Sequence, residues 1–173
     1  MDKDTFAKLV VDSTDSLYRV SKSILKNDTD CKDAVSEAIT IAFQKLHTLK
    51  NDKYAKTWLT RILINECYQQ KKYNNRMISD EESVMDYLNH SAAKYYHDSE
   101  NYYDLYEAMS CLNDEQRLAI TLFYYEGYSI KEISKITKTA QGTVKSRLSI
   151  ARQHLKQYLK EEYHYDKQRK TVG

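Results

Sequence analysis

Proline is absent from all 173 residues and glycine occurs only three times, so little in the chain interrupts a helix. The hairpins and bulges of a mostly-β protein lack their usual turn residues, and the expected class is all-α. The three cysteines, Cys31, Cys67 and Cys111, are odd in number and far apart. They suit neither a disulfide framework nor a paired-cysteine zinc site and read as helix-packing residues in a reducing cytosol. There is no charged start followed by an apolar stretch, and no apolar run of the ~18 residues that a membrane helix needs. The expected location is therefore the cytoplasm. A Gly-rich phosphate loop and an HExxH metal motif are also missing. The five histidines, His47, His90, His97, His154 and His164, stand singly in unlike contexts. These absences argue against an enzyme and lead us to expect no cofactor, no metal and no small-molecule substrate.

What is present is helical amphipathicity in two blocks. With 41% hydrophobic residues and a mean hydropathy of -0.76, two small helical modules fit better than one large core. The net charge is only +2, but it is unevenly spread. Residues 1–75 carry 13 basic and 10 acidic side chains, 76–100 carry 2 and 6, and 101–173 carry 12 and 9. Phosphate binding depends on local Lys and Arg density, so the small net charge does not argue against a nucleic-acid binder.

In the first block, Phe6, Leu9, Val10, Leu17, Val20 and Ile24 line one face of a helix over about 5–25. After a polar break at 27–30, Asp30 or Asp33 is placed to cap a second helix. That helix carries Ala34, Val35, Ala38, Ile39, Ala42, Phe43 and Leu46 inward. Beyond a polar loop at 47–53, a third helix over about 54–73 turns Trp58, Leu59, Ile62, Leu63 and Cys67 toward the others. At this spacing Trp58 reads as a core residue.

Periodicity lapses between Met77 and Asn101, where Asp80, Glu81, Glu82, Asp86, Asp98 and Glu100 gather. This is the expected flexible acidic linker, set at 76–101, with a first domain at 1–75, a second at 102–163 and a polar tail at 164–173. The second block begins with Tyr102, Leu105, Ala108, Met109 and Leu112. Asn113 with Gln116, and then Ser129 with Glu132, stand in capping-box register, and Gly127 is placed as a helix stop. A short helix carries Ile130, Ile133 and Ile136. After a turn at 137–139, the last helix is expected to bury Val144, Leu148, Ala151, Leu155 and Leu159.

Two helices joined by so short a turn have the layout of a helix-turn-helix, whose second member can enter the DNA major groove. Between Lys131 and Lys160 there are eight basic residues and one acidic residue. With Val144, Leu148 and Ala151 inward, Gln141, Thr143, Lys145, Ser146 and Ser149 lie elsewhere near the helix start, where base edges are read. Arg147 and Arg152 suit phosphates. A basic amphipathic helix alone would equally fit a solvated surface; the paired layout favours DNA.

The run LNDEQRLAITLFYYEGYSIKEISKITKTAQGTVKSRLSIARQHL, Leu112 to Leu155, closely resembles region 4 of extracytoplasmic function (ECF, group IV) sigma-70 factors. The resemblance implies binding of the minus-thirty-five (-35) promoter element through the last helix, by Thr143, Lys145, Ser146, Arg147, Ser149 and Arg152. It also implies contact with the flap of the RNA polymerase β subunit. Asn113 replaces a usual Pro, Lys138 a usual Gly in the turn, and Ala140 the usual capping Ser, with Thr139 available as a shifted cap.

The first block resembles sigma region 2. DAVSEAITIAF, Asp33 to Phe43, is similar to the helix that docks on the clamp helices of the polymerase β′ subunit, and implies core binding through Asp33, Glu37 and Phe43. YAKTWLTRILIN, Tyr54 to Asn65, is similar to the helix that reads the minus-ten (-10) element. That likeness nominates Thr48, Lys50, Asn51, Lys53, Lys56, Arg61, Asn65, Tyr68, Lys71 and Lys72 for the melted strand, which needs basic and aromatic side chains together. Ser36, Phe43 and Gln69 stand where Gln, Trp and Asp are common.

By resemblance the partners are core RNA polymerase, promoter DNA and an anti-sigma factor, often membrane-anchored, that clamps the two modules together. The protein would associate with the nucleoid when active, or be held at the inner face of the membrane by that partner. The acidic stretch Asp80 to Asp86 would lie in the polymerase's RNA exit channel. A conventional helix-turn-helix regulator would share the second block but not the region 2 layout of the first. A helix-binding adaptor would have no use for the basic recognition helix.

Overall fold

Short polar side chains fix where the helices begin. In the computed structural model, which describes residues 1–78 and 108–171, α1 spans Lys3–Ile24 and opens on Asp2, whose carboxylate accepts the Thr5 backbone N–H at 2.8 Å. The helix α2 spans Asp28–Gln44. Its cap is Asn27, neither Asp30 nor Asp33: Asn27 Oδ1 accepts from the Thr29 and Asp30 amides at 2.7 and 3.3 Å. An amide in that position satisfies two orphan donors without adding charge to the acidic first turn. Asp30 serves instead as a tie to α3, Ala55–Ile78, taking hydrogen bonds from Gln70 and Asn74. Burial raises its carboxyl above the ordinary value.

Two 3₁₀ turns, Leu46–Thr48 and Asp52–Tyr54, fill the polar loop before α3. Helices α1, α2 and α3 pack on one another around Phe6, Leu17, Ile24, Leu59 and Leu63, which are essentially inaccessible to water. Trp58 joins this core half-buried, its ring edge-on to Phe6 at 6.1 Å.

In the second block both capping boxes form as the spacing predicts. Asn113 caps α4, Asp114–Ile120, reciprocally with Gln116, and Ser129 caps α5, Ile130–Thr137, reciprocally with Glu132. Between them α4 widens into a π-turn at Thr121–Tyr125, and Gly127 ends it at φ 70°. Helix α6, Gln141–Thr171, buries Val144, Leu148 and Ala151. Leu155 is only partly buried and Leu159 is 43% exposed, because α6 by then extends past the short helices it packs on. Its helical backbone continues into the expected polar tail as far as Thr171, in a stretch rich in Lys, Glu, Gln and Arg that holds no helix breaker. The acidic segment assigned as the linker, except for 76–78, lies outside the described residues, as do Tyr102 and Leu105. No strand occurs among the described residues, and none of their helices is long and apolar enough to cross a membrane.

The two blocks do not stand apart. Helix α1 packs against α4, and α3 against α5, so one apolar cluster runs from Phe6 to Ala151.

Burial predicts thiol chemistry. Cys31 and Cys67 are fully buried, with the Cys67 thiol pushed up to about 12 by desolvation, while Cys111 is exposed. Because the thiolate is the nucleophile, alkylation at neutral pH should modify Cys111 alone in the native protein and all three cysteines in denaturant, as read by mass spectrometry. The turn after α5 predicts a stability change. Lys138 sits at φ 53°, and a left-handed non-Gly residue costs ~1–2 kcal/mol, partly offset by the greater unfolded-state entropy of Gly. Lys138→Gly should raise the unfolding free energy, read from the urea midpoint at constant slope, by about 0.5–1 kcal/mol, and Lys138→Val should lower it.

Candidate nucleic-acid interface

The recognition turn is held by its own threonines and serine. Ser134 Oγ donates to the Thr139 carbonyl at 2.6 Å, and the Thr139 amide donates to the Ser134 carbonyl at 3.1 Å. The Thr139 hydroxyl is 2.8 Å from that of Thr137, so it is engaged within the turn instead of capping α6. At the other end of α5, the hydrogen bond from Ser129 is the main reason the Glu132 carboxyl lies below its ordinary value. A left-handed Lys138 therefore does what Gly does elsewhere: it reverses the chain in three residues and aims the N-terminus of α6 outward.

On α6, the buried stripe Val144, Leu148 and Ala151 leaves Gln141, Thr143, Lys145, Ser146 and Ser149 exposed on the first turns. These are short donors and acceptors with one ammonium, at a helix N-terminus whose dipole favours anions. Arg147 is half-buried and ion-paired with Glu115 of α4 at 2.7 Å. Arg152 is exposed, its guanidinium 3.4 Å from the Tyr124 hydroxyl. Lys131, Lys135, Lys138, Lys156 and Lys160 are exposed around them.

The residues nominated for the melted strand divide into two sets. Lys50, Lys53, Arg61, Asn65 and Lys72 are exposed. Thr48 donates its hydroxyl to the Lys45 carbonyl at 2.7 Å, and Asn51 caps the turn before α3 through the Lys53 amide at 2.9 Å, so both also shape the loop. Tyr68 is 39% exposed, and burial of the remainder raises its hydroxyl pKa. Lys56, which is also exposed, and the half-buried Lys71 contact the second block. The Lys56 ammonium lies 5.7 Å from the centre of the Tyr128 ring, and Lys71 pairs with Asp114. Burial, together with the nearby cations Arg117 and Lys26, holds the Lys71 ammonium below its ordinary value.

Asp33 and Glu37 are exposed on α2. Glu37 lies beside Lys72, Tyr73 and Arg76 at a groove of about 580 Å³ between α2 and α3. Phe43 is half-buried, edge-on to Phe6 at 5.0 Å, so much of its ring serves the core.

Sequence reasoning missed the residues that join the blocks. Tyr128 is 7% exposed, and its hydroxyl is 2.9 Å from Thr60 Oγ1 on α3. Thr60 donates its single proton to the Lys56 carbonyl at 2.9 Å, so Tyr128 is the donor between the two hydroxyls. Glu126 accepts from Arg19 Nε at 2.9 Å and from the Ser16 hydroxyl. Arg117 donates to the Met109 carbonyl at 3.0 Å and the Ser23 carbonyl at 3.2 Å. The one available signal was the placement of Glu126 and Tyr128 on either side of a helix-ending Gly.

Residues 9–77 match the family described as Sigma-70 region 2, and residues 102–155 match that described as Sigma-70, region 4. The RNA polymerase sigma factor SigV of Bacillus subtilis is 30% identical over 141 residues, covering 80% of this chain and 81% of that protein. The ECF RNA polymerase sigma factor SigM of Mycobacterium tuberculosis is 26% identical over 159 residues, covering 91% of this chain and 79% of that protein. Among solved structures, the sigma factor RpoE in complex with the anti-sigma factor NepR from Bartonella quintana superposes with a TM-score of 0.80 at 28% identity, over 90% of this chain and 97% of that one. With a basic helix-turn-helix behind a region 2 bundle, and with these relatives along most of its length, the chain belongs to the ECF sigma factors of the sigma-70 family.

Proposed function

We propose that this sigma factor guides core RNA polymerase by reading the -35 element with α6 and the melted -10 strand with α3 and the loop before it. The observation that carries the first half is the outward start of α6. There Thr143, Lys145, Ser146 and Ser149 are exposed around a buried Val144–Leu148–Ala151 stripe, while a capped α5 braces the turn. Arg147 and Arg152 are placed for the flanking phosphates; Arg147 exchanges Glu115 for a phosphate as it binds. The exposed set Lys50, Lys53, Arg61, Asn65 and Lys72, with Lys56, Lys71 and Tyr68, supplies the cations and ring faces that single-stranded DNA requires.

Asp33 and Glu37, exposed on α2, and the rim of Phe43 form the surface for the β′ clamp helices, with the β flap engaged by the second module. The chain has no catalytic residue in this reading. It contributes sequence choice and strand capture, and the polymerase forms the phosphodiester bonds. The RpoE structure was solved with an anti-sigma factor, and we extend that mode of control to this chain, with a partner that is free or membrane-anchored.

Purified chain added to core polymerase and a cognate promoter should yield run-off transcripts of defined length. A helix-turn-helix regulator would yield none without a second sigma factor, and that result would overturn the assignment. Lys145→Ala with Arg147→Ala should weaken binding to promoter duplex and flatten the log-log salt dependence by about 0.9 for each phosphate that is no longer neutralised. Equal slopes for variant and parent would remove these two residues from the interface.

A further inference from the structure

The inward stripe of α3 changes chemistry before the helix ends. Leu59, Leu63 and Cys67 are fully buried in the core of the first block. The next two positions on the same face are Gln70 and Asn74, and none of the residues 68–76 is buried. Apolar packing therefore fixes the first turns of α3 and leaves the following ones to polar groups.

Against these turns α2 sets Asp30, half-buried in its own first turn. The two carboxylate oxygens are divided between the two amides: Gln70 Nε2 donates to Oδ1 at 3.3 Å and Asn74 Nδ2 to Oδ2 at 2.9 Å. A carboxylate that holds donors one turn apart on a neighbouring helix resists both rotation and tilt of that helix, since either motion lengthens one of the bonds. Such charge-assisted bonds are roughly twice as strong as neutral ones.

The opposite face of the same helix carries residues assigned to the strand. Arg61, Asn65, Tyr68 and Lys72 follow one another at steps of four, three and four, and all are exposed. They lie about 180° around the axis from Gln70 and Asn74 at 3.6 residues per turn. Arg61 and Asn65 stand on the part of α3 that the apolar core holds, whereas Lys72 stands beyond it, between the two amides in sequence. Rotation of the last turns would carry Lys72 out of line with the other two.

We propose that Asp30 is a positioning residue for capture of the melted strand: it holds the last turns of α3 through Gln70 and Asn74 and so keeps Lys72 in line with Arg61 and Asn65. This rests on the assignment of those three residues to the strand, and the test separates the two ideas. Asp30→Ala removes both acceptors. Asp30→Asn keeps the shape and one acceptor oxygen, and its own amide donates to the Gln70 side-chain oxygen once that group is turned over. Both substitutions remove the same negative charge, so a difference between them cannot come from attraction or repulsion of DNA. Gln70→Ala with Asn74→Ala breaks the same bonds from the other side, with a good helix former and no change of charge. Hydrogen exchange reads the order of residues 68–76, and circular dichroism verifies that each variant stays helical. Core polymerase saturated with each variant is then titrated with two labelled DNAs from a cognate promoter. One carries only the -10 element with its non-template strand unpaired, and the other is a duplex carrying only the -35 element.

Asp30→Ala and the double amide variant should exchange faster over 68–76 and at the parent rate over 56–66. Both should bind the unpaired DNA about fivefold more weakly, because apparent affinity scales with the fraction of molecules in the competent geometry, and should bind the -35 duplex as the parent does. Asp30→Asn should stay near the parent in every measurement. Unchanged exchange over 68–76 in both disrupted variants overturns the tie. Faster exchange with unchanged affinity for the unpaired DNA, an equal loss on the -35 duplex, or an Asp30→Asn variant as weak as Asp30→Ala overturns the positioning role. If Arg61→Ala with Lys72→Ala is also silent on the unpaired DNA, the strand assignment itself fails; if that pair weakens binding while Asp30→Ala does not, only the role of Asp30 falls.

Discussion

A tyrosine hydroxyl and a glutamate carboxylate, displayed from either side of one left-handed glycine, hold the two halves of this sigma factor together. Burying that carboxylate is tolerable only because Arg19 and Ser16 satisfy it, and burying the Tyr128 hydroxyl only because Thr60 accepts its proton. An unpaired charge in that position would cost several kcal/mol. The contact therefore has a narrow geometric tolerance: small shifts of α4 against α1 strand polar groups without partners.

The two candidate DNA surfaces are in unequal states within this arrangement. The outer face at the start of α6 is exposed and ready, apart from the Arg147–Glu115 pair. The strand surface on α3 is exposed at Lys56, Arg61, Asn65 and Lys72, with the Tyr128 ring 5.7 Å from the Lys56 ammonium, while the half-buried Lys71 is paired with Asp114 of the second module. On the proposed assignment, the exposed start of α6 is the surface that long-range attraction to duplex acts on.

How much of this is visible in the residues varies with the length scale of each feature. Capping boxes at Asn113 and Ser129 are local, set by side chains three residues apart, and both form as the spacing requires. The cap of α2 falls on Asn27 and not on either aspartate, because several short polar residues crowd 27–33 and spacing alone does not choose among them. Leu159 continues the α6 stripe by spacing and yet stays outside the core, since a stripe is buried only as far as a neighbour reaches, and the neighbours end first. Two modules are legible, with one cluster of candidate binding residues on each. The contact between them is not, because Ser16, Arg19, Thr60, Glu126 and Tyr128 lie in polar or mixed stretches where periodicity carries no signal.

By itself the sequence determined the all-α class, the helix starts that depend on neighbouring side chains, the inward stripes and the family. Those properties follow from interactions within a few residues or from long patterned runs. Only the tertiary structure decided that α1 and α3 receive α4 and α5, which cationic side chains the second block contacts, and where Glu126 and Tyr128 find their partners. The physical reason is that pairing across 68 to 110 residues depends on the summed packing of every helix between them, and no local spacing encodes that sum.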